Sequence, residues 1–204
     1  MKGVQKLLSN ALLEICERKS LEYVTVTEIA AHAGLTRQVF YRYFIDKYDL
    51  AKFIHFHDFC DVLDQILSGE KRGADMWVDI SRAWFDVIKA RPQFYQNLYH
   101  SGSNGEFRQI IRTYITKFYV GIAQHQLGPQ LEPEILFAIQ LYLAGATEKI
   151  NEWIQSPAKT PVEELNRLLY HSMPEKIQNL IILNELDAVA AKKIAQDAYF
   201  QSQP

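Results

Sequence analysis

Residues 25–47 contain several side chains of the types that bind nucleic acid. Arginine can bond bidentately to guanine O6 and N7, glutamine can do so to adenine N6 and N7, and the methyls of Val39 can contact a thymine methyl. Tyrosine and threonine hydroxyls and a lysine ammonium suit backbone phosphates. The residues predicted to contact DNA are Thr25, Thr27, Thr36, Arg37, Gln38, Val39, Tyr41, Arg42, Tyr43 and Lys47.

A short helix over 26–33 is predicted before the residues that are expected to contact bases. Thr25 and Glu28 have the spacing of a capping box, so the Thr25 hydroxyl should accept a hydrogen bond from a free backbone N–H of the first turn. Gly34 can take the left-handed conformation that ends a helix. A tight turn is therefore expected at Gly34.

A second short helix over 37–44 follows the turn. Thr36 is its predicted N-cap, and Phe40 and Phe44 are four residues apart, which places both rings on the buried side. The polar side chains are then left on the outer face. Two short helices joined in this way form a helix-turn-helix, whose second helix enters the major groove by its N-terminus.

The remaining sequence also shows helical spacing of apolar residues and no period-2 strand pattern, so an all-α fold is predicted. Glycine and proline interrupt the long segments, and these interruptions set the expected boundaries. The predicted helices are 2–19, 26–33, 37–44, 47–68, 74–90, 92–100, 105–127, 132–155, 161–172 and 174–199.

The charge is unevenly distributed along the 204 residues. The formal net charge is −2, which excludes a chain-wide cationic field. Residues 1–52 carry eight basic and six acidic side chains, so this part has a charge of +2 and the rest −4. No long apolar segment occurs near the start or elsewhere, which predicts a cytoplasmic protein with no membrane contact. Any DNA contact must therefore be local.

Residues 53–119 are rich in aromatic side chains, which either fill a core or line a cavity for an apolar or aromatic ligand. The candidates for ligand contact are Phe59, Trp77, Trp84, Phe94, Tyr95, Tyr99, Tyr114 and Phe118. Further along, 132–155 has a wide apolar stripe, and with 161–172 it forms a candidate helix pair for packing against a second copy of the chain.

Signals for catalysis or metal binding are weak. His57 and Asp61 are four residues apart and Cys60 lies between them, but no spaced third ligand follows, so a histidine in water or at the core edge is favoured. Cys16 and Cys60 have no disulfide or zinc spacing. No nucleophile-elbow, P-loop or zinc-protease motif occurs. We predict no enzyme activity, catalytic residue, metal or cofactor.

The segment 25–50 reads TVTEIAAHAGLTRQVFYRYFIDKYDL and resembles the N-terminal signature of the TetR family of transcriptional regulators. The resemblance includes the aromatic run at 40–44 and the position of Lys47. It implies a three-helix DNA-binding domain at 1–50 and an effector-binding and dimerisation domain at 51–204. It further implies a homodimer, paired through 132–155 and 161–172, that reads a two-fold operator.

By this resemblance, the function expected is that of a repressor released from double-stranded DNA by a small apolar or aromatic effector. Entry of the effector between 74–90, 92–100 and 105–127 would tilt the helix over 47–68. The alternative is a protein-interaction coactivator that keeps the fold and has lost operator binding. The side chains suited to DNA at positions 37–47 favour the first interpretation.

Overall fold

The computed structural model describes residues 3–67, 73–100, 105–156, 160–182 and 188–201. Within these ranges the chain is built from α-helices, one short 3-10 helix and connecting turns, with no strand. The predicted all-α fold is therefore confirmed. The helices are α1 (Val4–Cys16), α2 (Val26–His32), α3 (Arg37–Tyr41), α4 (Lys47–Leu67), α5 (Gly73–Ala90), α6 (Pro92–His100), α7 (Gly105–Leu127), α8 (Pro133–Gln155), α9 (Val162–His171), α10 (Glu175–Ile182) and α11 (Ala188–Gln201).

The first three helices form a small unit that packs on the start of α4. Its centre consists of aliphatic and aromatic side chains with almost no exposed surface, which is where apolar burial contributes most to stability. They are Leu8, Leu12, Leu21, Ile29, Phe40 and Leu50. The same apolar cluster continues along α4 into the rest of the molecule. The predicted division between residues 50 and 51 falls inside the first turn of α4 and remains a prediction.

The second helix of the predicted helix-turn-helix is shorter than expected, whereas α4 starts at Lys47 as predicted. Helix α3 ends at Tyr41, where the prediction placed residue 44. The Asp46 carboxylate accepts a hydrogen bond from the Asp49 backbone N–H at 2.8 Å, and the Asp49 carboxylate accepts one from the Ile45 N–H at 3.0 Å. These bonds fix a new helix start and force the chain to turn between Tyr41 and Lys47.

The first helix and the C-terminal region also differ from the prediction. Helix α1 ends at Cys16 rather than at residue 19, and a 3-10 turn follows at Leu21–Tyr23. The segment predicted as one helix over 174–199 is described as α10 and α11, and residues 183–187 between them lie outside the described residues. Helix α10 packs on α5, α7 and α8, whereas α11 packs on α4 and α7.

Helix α11 lies close to α7 and α4 because small residues face the contact. Ala191, Ala195 and Ala198 are buried there. A methyl group on Gly121 would lie 2.5 Å from Cγ2 of Ile194, so only a glycine in α7 allows this approach. In the part of the chain that the structure describes, no helix is long and apolar enough to cross a membrane.

Candidate DNA-binding surface and ligand cavity

The start of α2 is fixed by the predicted capping box. The Thr25 hydroxyl accepts a hydrogen bond from the Glu28 backbone N–H at 3.2 Å, and the Thr25 N–H donates to the Glu28 carboxylate at 2.8 Å. Lys19 donates a further bond to this carboxylate at 2.6 Å. The hydrogen bonds from Lys19 and then Thr25 lower the pKa of Glu28 to about 2. The cap is therefore in place at neutral pH.

The turn and the start of α3 also follow the prediction. Gly34 has φ +68°, and the Leu35 N–H bonds back to the Ala30 carbonyl at 2.8 Å. Only glycine takes this left-handed conformation without strain. The Thr36 hydroxyl accepts a hydrogen bond from the Val39 N–H at 3.3 Å. The helix-turn-helix is thus held at both helix starts by threonine caps.

Helix α3 has one buried and one exposed face. Phe40 is fully buried, and Phe44, just beyond the helix, is also buried. The predicted base- and phosphate-contacting side chains are on the surface, with Val39 half-buried among them. Those exposed are Thr25, Thr27, Thr36, Arg37, Gln38, Tyr41, Arg42 and Tyr43. The Arg37 guanidinium lies 5.9 Å from the centre of the Tyr41 ring, a cation–π arrangement.

Lys47 has an internal role that the sequence did not suggest. Its ammonium donates to the carbonyls of Glu22 at 2.6 Å and Val24 at 2.8 Å. Burial lowers its pKa, although the nearby Glu22 and Asp46 carboxylates oppose that change. Lys47 therefore ties the segment before α2 to the start of α4. Contact of Lys47 with a phosphate remains a prediction.

Two family models match the chain. Residues 10–53 match the family described as bacterial regulatory proteins of the tetR family, and residues 75–175 match a transcriptional regulator C-terminal region. Together the matches cover more than two thirds of the chain. The chain belongs to the TetR family of transcriptional regulators. It is therefore a DNA-binding regulator and not an enzyme, as the sequence predicted.

Curated relatives of this TetR-family regulator match over part of their length. The uncharacterized HTH-type transcriptional regulators MT0489 and Rv0472c, from two strains of Mycobacterium tuberculosis, are each 31% identical over 83 residues. Each match covers 39% of this chain and 36% of the relative. The chain thus spans about a third of the length of the curated relatives it matches.

Solved structures share the fold at low sequence identity. The dihydroxyacetone kinase operon activator DhaS is 17% identical with a TM-score of 0.58, over 85% of this chain and 96% of that one. The fatty acid degradation regulator FadR from Bacillus halodurans is 17% identical with a TM-score of 0.54, over 89% and 96%. A tetR-family regulator from Streptomyces coelicolor is 17% identical with a TM-score of 0.56, over 97% and 95%.

The body of the TetR-family regulator contains an internal cavity of about 150 Å³ between α4, α5, α7 and α8. Five of the eight predicted ligand-contacting aromatics line it, namely Phe59, Trp77, Trp84, Tyr114 and Phe118. Tyr99 lines an adjoining opening. Phe94 and Tyr95 are instead packed in the core and line none of the cavities described, so their burial fills space between helices.

Sequence reasoning missed several cavity residues, most of which are not aromatic. The missed polar side chains come from four helices. They are His55, Ser81, Tyr119, Gln126 and Thr147. The Tyr119 hydroxyl accepts a hydrogen bond from the Trp77 indole N–H at 3.1 Å, so this pair is already satisfied.

His55 is the buried titratable group of the cavity wall. Its Nε2 lies 3.2 Å from the Tyr99 hydroxyl, and burial lowers the pKa of His55 to about 3. Among the described residues that line the cavity, none is Asp, Glu, Lys or Arg. The wall is therefore uncharged at neutral pH.

The depressed pKa of His55 predicts loss of stability in acid. The unfolded chain binds a proton near the ordinary value of 6.5, whereas the folded chain stays neutral down to about 3. As the pH falls through this window, the free energy of unfolding should decrease by up to about 1.4 kcal/mol per pH unit from this group. Replacing His55 with Gln should remove that contribution, as measured by urea unfolding at several pH values. Parallel pH curves for the two proteins would contradict the assignment.

The sequence does not favour a metal site at His57 and Asp61 of α4. His57 is half-buried, Asp61 is exposed, and burial lowers the pKa of His57. Across the described side chains, no group of three or more potential ligands converges on one point.

Proposed function

We propose that this TetR-family regulator is a homodimeric repressor that binds a two-fold DNA operator and releases it when a small apolar or aromatic ligand occupies the cavity. One observation carries the proposal: α4 belongs both to the DNA-binding end and to the cavity. Lys47 and Leu50 at its start contact the helix-turn-helix unit, and His55, Phe59 and Leu63 further along line the cavity. Residues 1–50 would bind DNA, and residues 51–204 would bind the effector and pair the subunits.

Operator reading is assigned to the exposed face of α3. Arg37 and Gln38, which are exposed at its N-terminus, would contact base edges, and the hydroxyls around them would contact phosphates. The weak positive charge of this end provides limited non-specific attraction. Specific contacts and pairing of two subunits must therefore supply much of the affinity.

Dimerisation is assigned to the outer face of α8 and α9. Leu136, Phe137 and Leu141 of α8 are exposed, as is Leu168 of α9. An open groove of about 760 Å³ runs between the two helices and is lined by Leu141 and Leu168. Contiguous exposed apolar groups mark interaction sites, and a second copy of the chain would bring matching side chains to this groove.

Ligand release follows from the position of α4. In a dimer, the two α3 helices must lie about 34–36 Å apart to enter successive major grooves. A ligand that pushes on His55, Phe59 or Leu63 would shift α4 and change this separation. The affinity for the operator would then fall without any change in the contacting side chains.

Arg37 and Lys47 should affect operator binding in different ways. Replacing Arg37 with Ala should cost about 1–3 kcal/mol on the selected sequence and relax the base preference at one position. Replacing Lys47 with Ala should weaken binding to all sequences alike and flatten the salt dependence. The operator is first selected from a random DNA pool, and affinities are then measured by gel shift at several salt concentrations.

The control for these variants is Arg82→Ala, which removes an exposed arginine of α5 far along the chain from the DNA-binding end. Thermal unfolding must accompany the Lys47 variant, since Lys47 also holds two backbone carbonyls. If no palindromic sequence is selected, the protein-interaction alternative replaces the repressor proposal. If the Arg37→Ala variant binds the operator as tightly as the control variant does, the assignment of α3 to base contacts is wrong.

A further inference from the structure

The uncharged cavity lies beside a second, polar pocket of about 270 Å³. The two share four lining residues, so they are neighbouring spaces. The shared residues are Trp84, Ile115, Thr147 and Ile150. A cavity of about 150 Å³ accepts a group the size of benzene, and the two volumes taken together are in the range of small-molecule sites.

Charge is confined to the outer pocket, which we call the mouth. Arg108 and Arg112 are four residues apart on α7 and both line it, together with Glu148 of α8. Arg108 Nη1 lies 4.0 Å from Glu148 Oε1, at the outer limit of an ion pair. Within the described chain, Arg112 has no ion pair or hydrogen bond. The three charged groups leave the mouth with a net positive charge.

A buried polar atom at the mouth also lacks a partner. Asn151 is 7% exposed, and its Oδ1 makes no hydrogen bond, while its Nδ2 donates only a long bond of 3.4 Å to Glu148. A buried amide oxygen without a partner costs free energy unless a ligand or water satisfies it. Asn151 lines the mouth, and because its Oδ1 is an acceptor, the missing bond must come from a water molecule or a hydroxyl group there and not from a carboxylate.

We infer that the effector is a small amphiphile, with an apolar or aromatic body in the uncharged cavity and an anionic oxygen head group held at the mouth by Arg112 and Arg108. This inference rests on the proposed function, because it names the ligand class of the same cavity. A carboxylate or phosphate can accept two hydrogen bonds from one guanidinium, which amine and alcohol head groups cannot. The described residues that line the inner cavity include no charged side chain that could pair with an anionic head group there.

Three probes with the same body test the inference by isothermal titration calorimetry: phenylbutyrate, phenylbutanol and phenylbutylamine. We expect the acid to bind the wild-type protein about tenfold more tightly than the alcohol, and the amine most weakly. Arg112→Gln should reduce the affinity for the acid to that for the alcohol and leave the alcohol unchanged. The matched control is Arg82→Gln, since Arg82 lines none of the cavities described.

Equal affinities of acid and alcohol for the wild-type protein would overturn the inference, as would an Arg112→Gln variant that weakens both probes alike. Binding of none of the probes would overturn it together with the effector part of the proposed function. Operator affinity is measured in parallel with the acid present. If the acid binds as expected and the operator affinity does not change, the ligand class stands and release by ligand is wrong.

Discussion

Replacing Phe137 with Glu is expected to convert the proposed dimer to a monomer and to weaken operator binding by about a hundredfold or more. Phe137 is 66% exposed on α8, and Leu141, one turn later, is 64% exposed. If this face packs against the same face of a second subunit, the substitution places two carboxylates in the apolar contact, one from each subunit. A buried charge without a partner costs several kcal/mol of association free energy.

The loss of operator affinity follows from the loss of pairing. A dimer binds the operator more tightly than a monomer does, because once one DNA-binding end is bound the second end is held at a high local concentration near its half-site. The mass in solution is measured by sedimentation equilibrium, and the operator affinity by gel shift. Leu127→Glu is the matched control, because Leu127 is also a large exposed apolar residue but lies at the end of α7. A Phe137→Glu protein that remains dimeric would refute the proposed interface.

Replacing Asp58 with Asn is expected to lower the free energy of unfolding by about 3 kcal/mol. Asp58 is buried in α4, and both of its carboxylate oxygens lie 2.6 Å from Arg91 Nη1. The Tyr95 hydroxyl also donates to it, at 2.8 Å. The asparagine would leave the Arg91 guanidinium without its counter-charge. Arg91 keeps some contact with water, which places the cost at the lower end of the range for buried pairs.

Asp61→Asn provides the control, since Asp61 lies on the same helix three residues later and is exposed. Both variants are compared by urea unfolding at constant pH. Arg91→Ala should show a similar loss, and the double variant should lose less than the two single losses combined. An Asp58→Asn protein as stable as Asp61→Asn would show that the pair contributes nothing net to folding.

The DNA-binding end could be predicted from sequence because its determinants are local. Thr25 caps a helix three residues away, and Gly34 and Thr36 act on neighbouring backbone groups. The early end of α3 at Tyr41 was not predicted, because the spacing of Phe40 and Phe44 suggested that the helix continues to residue 44.

The cavity could be predicted only in part, because lining depends on contacts between distant helices. Phe94 and Phe118 are both aromatic and both buried, yet only Phe118 faces the cavity. The bonds from Lys47 to the carbonyls of Glu22 and Val24 join residues more than twenty positions apart, and nothing in the local pattern signals them. Residue type supplied the candidates, and the three-dimensional packing determines which of them line the cavity.

The close approach of Gly121 to Ile194 constrains how this protein and its homologues can diverge. Because a methyl group at position 121 would collide with the isoleucine, an alanine can enter there only after the side chain at position 194 has become smaller. The two positions should therefore change together during evolution. A homologue without the last helix would be free of this restriction at position 121.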